Sequence, residues 1–218
     1  MSGRRRTIAD TRPGGQPVNV RVLGDPLNAG LAPPVQSPPG PDGAGRGSLF
    51  VPLLAGAAVT VAMGAYGRYH TPTGIAVNVA GFSSPLTVKV WLGTGAAVFA
   101  VVQLFSAMAM WGRLGDFSPA WAGTVHRWSG RVAFLLTVPV AVHCLYALGF
   151  VDADPRALVH SLLGCLFFGA FTTKMLALPK PGLAGWVLPV VGGVVFTVLV
   201  GVWLTSSLWY FATFGVGV

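Results

Sequence analysis

From Phe134 to Phe171 the chain reads FLLTVPVAVHCLYALGF, then VDADP, then RALVHSLLGCLFFGAF. Two apolar runs flank a short polar loop, and each run carries one histidine, His143 and His160. At about 1.5 Å per helical residue, each run belongs to a stretch long enough to cross about 30 Å of hydrocarbon. His143 lies seven residues before Phe150 and His160 four after Arg156, which predicts both imidazoles near one membrane face. So short a hairpin predicts that the two helices are neighbours. An imidazole inside lipid is costly without a partner. Two axial bonds to haem iron would satisfy the pair; hydrogen bonds across the helix pair, or a small polar cavity, would do so equally. On the residues alone both readings stay open.

Working outward, 53% of the 218 residues are hydrophobic and only 9% are charged, with no Glu anywhere. A soluble domain carries about a quarter charged residues, so the expected fold class is all-α: a polytopic membrane bundle of five transmembrane helices with a disordered N-terminal tail. Residues 1–47, rich in Arg, Pro and Gly, hold too little apolar surface to offset ordering entropy. Residues 48–218 form the membrane domain, with spans expected at about 49–69, 88–112, 128–150, 156–178 and 184–213. No secretory signal is evident, because Arg4-Arg5-Arg6 leads into polar sequence rather than an apolar run.

The net charge of +8 could suggest nucleic acid, but its distribution is that of a topology signal. With the tail inside, that side holds the six tail arginines with Arg113, Arg127, Arg131, Lys174 and Lys180; the other holds Arg68, Lys89 and Arg156. The imbalance predicts a multi-pass plasma-membrane protein with a cytoplasmic N-terminus and an outside C-terminus, the lipid bilayer as its partner and no nucleic acid. Seven tryptophans lie mostly at predicted span ends, where a headgroup belt accounts for them.

Small residues recur every fourth position in Gly56-Thr60-Gly64 and Gly193-Thr197-Gly201-Thr205, and both stripes are expected to be packing seams. Pro139 removes a backbone donor one turn before His143 and should bend that helix. Cys144 and Cys165 sit in apolar runs and read as inert thiols, although their matched positions leave a disulfide conceivable. Gln103 is read as an interhelical hydrogen bond, and Ser161 and Thr137 are the nearest candidates to orient the imidazoles. His126 opens the third expected span on the opposite face and is a weaker candidate, for a quinone or a propionate. His70, near water, is a loop residue, an alternative axial ligand or a contact for an external reductant. No phosphate loop, nucleophile elbow, Cys-x-x-Cys or carboxylate pair is present, so no catalytic residue is identified.

In both His126-Arg127-Trp128-Ser129-Gly130 and His160-Ser161-Leu162-Leu163-Gly164 a histidine is followed one turn later by a glycine, which could leave flat space for a porphyrin edge. On these motifs the chain loosely resembles the cytochrome b-561 and ferric-reductase-like membrane haem proteins. The stretch from His126 to Tyr210 also resembles an uncharacterised actinobacterial family of five-span proteins, which implies a fold and no activity. The first resemblance implies haem b held by histidines of different helices and electron transport through the membrane. Span two lacks a histidine, so one bis-histidine site is expected, at His143 and His160, exchanging electrons with a membrane quinone or a redox partner protein. The expected function is thus an oxidoreductase or electron-transfer subunit working between a membrane or external donor and an unknown acceptor. The alternative is a non-catalytic membrane subunit of a larger complex.

Overall fold

The computed structural model describes residues 48–78, 81–152 and 154–217. The expected tail, 1–47, lies outside the described residues. Five helical rods account for the fold, and no strand occurs among the described residues. They are α1 (Phe50–Tyr69), α2 (Pro85–Met110), α3 (Ala122–Val142) running into a π-helical segment (His143–Leu148), α4 (Pro155–Ala177), and α5 (Val187–Trp203). The last rod continues through a second π segment (Leu204–Leu208) into α6 (Trp209–Phe214). Each rod is long and apolar enough to cross a membrane. Their outward faces agree, with Val98, Leu135 and Leu162 each more than half exposed, a surface that water would not tolerate over so wide an area.

Local chemistry sets the helix starts. Ser84 and Thr87 form a reciprocal capping box with Pro85 in the first turn of α2. Asp154 accepts from Arg156 N and Ala157 N at the start of α4, again with Pro155 in the first turn. The rod formed by α3 ends at Gly149, whose φ of 73° a side chain would resist. The third rod starts at Ala122, six residues before the expected boundary, so His126 lies one turn inside the helix rather than at its beginning. Arg127 and Trp128 face outward there, which lets the helix begin among polar residues.

The rods pack as α2 on α3, α1 on α4, and α5 on both α4 and α2. At the α1–α4 crossing Gly56 faces Gly169 so closely that a Cβ on either would overlap the other's carbonyl oxygen. Thr173 Oγ1 lies 3.1 Å from Gly169 O within α4 and 3.2 Å from Pro52 O across the seam. The stripe Gly56-Thr60 therefore meets a second stripe, Gly169-Thr173, which makes backbone contact possible where lipid gives no hydrophobic drive. On the α2–α5 side, Ser207 Oγ donates to Val90 O at 3.0 Å and Trp203 Nε1 to Thr94 Oγ1 at 3.1 Å.

The short loop does not make α3 and α4 close neighbours along their backbones. They meet through aromatic side chains near mid-bundle, where Phe134 stacks on Phe171 at 4.1 Å and meets Phe168 edge-on at 5.8 Å. Phenylalanines hold the two rods apart, and toward Phe150 the space between them is open.

Candidate functional site

That space is a cavity of about 500 Å³, within the roughly 300–1,000 Å³ typical of cofactor and small-ligand sites. Thr137, Val140, Ala141 and Cys144 line it from the third rod, and His160, Ser161, Gly164 and Cys165 from α4. Lys89, Val90 and Gly93 close it from α2, and Val202, Trp203 and Ser206 from the fifth rod. Both cysteines are free thiols in its wall.

His160 is fixed by the fifth rod. Thr205 Oγ1 donates to Gly201 O at 2.8 Å, so its hydrogen is committed. It therefore accepts from His160 Nδ1, 3.2 Å away. This arrangement favours the tautomer with the proton on Nδ1, which leaves the Nε2 lone pair for the cavity that His160 lines. A metal-ligating imidazole takes this same state, its other nitrogen donating to a fixed acceptor. Thr205 lies in the π segment Leu204–Leu208, and the carbonyl of Thr205 accepts from Arg156 Nη1 at 2.8 Å. Such widened turns recur at functional sites because they free backbone groups and re-aim side chains. Thr205 belongs to the expected packing stripe, whose Gly201 lies against Leu163, and it also meets the histidine of α4. Ser161 lines the cavity, and Thr137 spends its hydroxyl on Phe134 O at 2.6 Å, so neither orients His160.

His143 opens the other π segment, four residues after Pro139. It does not line the cavity. Leu136, two turns earlier on the same face, packs against Gly95 of α2, which places His143 on the flank of the cavity stripe toward α2. Its Nε2 is buried and has no hydrogen-bond partner. Lys89 lines the same cavity as His160.

The remaining histidines serve other surroundings. His70 is stacked between Tyr66, at 4.8 Å, and Tyr146, at 5.2 Å, with its Nε2 likewise buried and unpartnered. His126 belongs to a polar knot between α2 and α3. Ser106 Oγ donates to Val102 O at 2.7 Å and so accepts from His126 Nδ1 at 3.1 Å. Gln103 makes the expected interhelical bond, from Nε2 to Ser129 Oγ at 3.1 Å and to the His126 carbonyl. Its side chain fills the space over Gly130, whereas nothing lies within 4 Å of a Cβ on Gly164. Of the two His-x-x-x-Gly motifs, only the one at His160 therefore leaves the open face expected of it. Among the described residues, no three His, Cys, Asp or Glu side chains cluster as a metal site.

Three residues of the site were not singled out for it in the sequence: Thr205, Lys89 and Arg156. The signal for Arg156 was weak, a cation at a helix start. Its role comes from the fold, which lays it over Trp209 at 3.7 Å, on Thr205 O and beside Asp154 at 3.2 Å.

Five apolar rods around a histidine-lined cavity define a multi-pass membrane protein with an internal site. Residues 49–218 match the model of the family of unknown function DUF6529, and the chain belongs to that family. No curated protein and no solved structure matches it.

Proposed function

We propose that this chain is an integral membrane b-type haem protein that transfers electrons between a membrane or external donor and an acceptor such as a membrane quinone or a redox partner. The observation that carries the reading is the placement of His160, which meets Thr205 Oγ1 through Nδ1 and lines an apolar cavity of about 500 Å³, an arrangement that favours a free Nε2 lone pair. Two further features fit the group. Gly164 leaves the wall beside His160 flat, and the orphaned Nε2 of His143 is a buried nitrogen for which a metal would be a partner.

In this reading His160 would hold the group through Nε2, with Thr205 meeting its Nδ1, and His143, which does not line the cavity, would be the second candidate ligand. When bound, haem supplies one-electron redox chemistry tuned by its axial ligands and burial. The protein's part is to hold the imidazoles neutral and oriented and to exclude water with the apolar walls. The distribution of basic residues supports an outside position for the Phe150 end and a cytoplasmic N-terminus, with the plasma membrane as the proposed location.

The test is the visible spectrum of the full-length protein purified from haem-supplemented cells, oxidised and then dithionite-reduced. A Soret band that shifts on reduction, with sharpened α and β bands, is expected. A colourless protein that stays colourless on haem titration overturns the reading in favour of a non-catalytic membrane subunit.

A further inference from the structure

Among the described residues, three cations stand at the Phe150 end: Arg68, Lys89 and Arg156. Two of them have a carboxylate. Arg68 pairs with Asp152 at 2.8 Å, and Arg156 with Asp154 at 3.2 Å. These are the only described carboxylates at that end, and Asp154 is further occupied in capping α4. Lys89 has no hydrogen bond and no ion pair with a described residue, yet it is half-buried and lines the cavity. Lys89 stands near the start of α2, where its stem can lie along the apolar wall while its ammonium, without a protein counter-ion, stays at the cavity rim for a ligand's charge.

We infer that Lys89 is the anchor for an acid group of the cavity's ligand, and, resting on the haem reading above, that this group is a propionate carboxylate of the macrocycle. Arg156 is not the anchor. Its guanidinium is already divided among Thr205 O, Asp154 and the face of Trp209, so its charge is neutralised and its fork held. Lys89 keeps three N–H donors on a flexible stem, enough to follow a carboxylate at the rim of an otherwise apolar chamber. The cavity thus has two poles, an Nε2 lone pair on His160 for a metal and an ammonium for an anion.

The test is titration of the full-length apo-protein, in phosphatidylcholine nanodiscs, with protohaem and with its dimethyl ester, which lacks the carboxylates. The wild type should bind the ester about tenfold more weakly, the loss of roughly one well-placed ion pair. Lys89→Met should bind protohaem as weakly as the ester and show no further loss on esterification. Lys89→Arg should restore the difference, and equal melting temperatures of the three proteins would separate this from misfolding. Equal ester penalties in wild type and Lys89→Met, or no penalty in the wild type, overturn the assignment while leaving haem binding intact. Absence of binding by either compound overturns the haem reading and this inference together. Repeating the titration in phosphatidylglycerol nanodiscs should preserve the ester penalty; its disappearance would place a lipid phosphate on Lys89 and refute the propionate assignment.

Discussion

Replacing Thr205 by Val keeps the shape of the side chain and removes the hydroxyl that both accepts from His160 Nδ1 and donates to Gly201 O. The second of these bonds is local to the helix. The first, at 3.2 Å, crosses from the π segment of the fifth rod to α4, and its length sets it toward the weaker end of the scale. Interhelical hydrogen bonds inside membranes average about 0.6 kcal/mol and reach about 2 kcal/mol. We therefore expect a loss of about 1 kcal/mol in stability and, more tellingly, a change of about fivefold in the ratio of the two imidazole tautomers. The assay is nitrogen NMR of histidine-labelled protein, in which protonated and unprotonated ring nitrogens are well separated. Wild type should show His160 protonated at Nδ1; Thr205→Val should gain the Nε2-protonated form, and Thr205→Ser should resemble wild type. A wild-type His160 carrying its proton on Nε2 would refute the reasoning, because the lone pair would then face the threonine and not the cavity.

Gly169→Ala should destabilise the protein by roughly 1–3 kcal/mol in a denaturant titration in bicelles, since its Cβ would overlap Thr60 and the Gly56 carbonyl; stability equal to wild type would contradict the close α1–α4 crossing. A Cβ on Gly164 meets nothing within 4 Å beyond its own helix backbone, and Gly164 lines the cavity, so Gly164→Leu extends a side chain into that space. It should leave the melting temperature near wild type while lowering haem uptake at least tenfold, and undiminished uptake would show that the cavity is not the site.

The rods were legible because each is an unbroken apolar stretch bounded by Pro, Gly or charge, a pattern that lipid enforces on any helix exposed to it. Their pairing was less so. Gly56-Thr60 announced a seam, but its partner Gly169-Thr173 lies inside the run of Phe167, Phe168 and Phe171, where bulky neighbours mask it. The short loop suggested that α3 and α4 touch, whereas the stacked Phe134 and Phe171 act as a spacer and create the cavity. Sequence spacing marked His160 and Gly164, which depend on one helix alone. It could not mark Thr205, whose meaning depends on a widened turn 45 residues away from His160. Nor could it separate His143 from the cavity stripe, because one residue of helical rotation, about 100°, decides which wall a side chain faces.

Haem binding as proposed requires His160 Nε2 as a metal ligand, and imidazole rescue reads that most directly. His160→Ala should lose the reducible Soret band, and millimolar imidazole should restore it by entering the space the ring vacates, while His70→Ala keeps its band throughout. A His160→Ala protein with an unchanged spectrum, before any imidazole is added, would contradict the central claim.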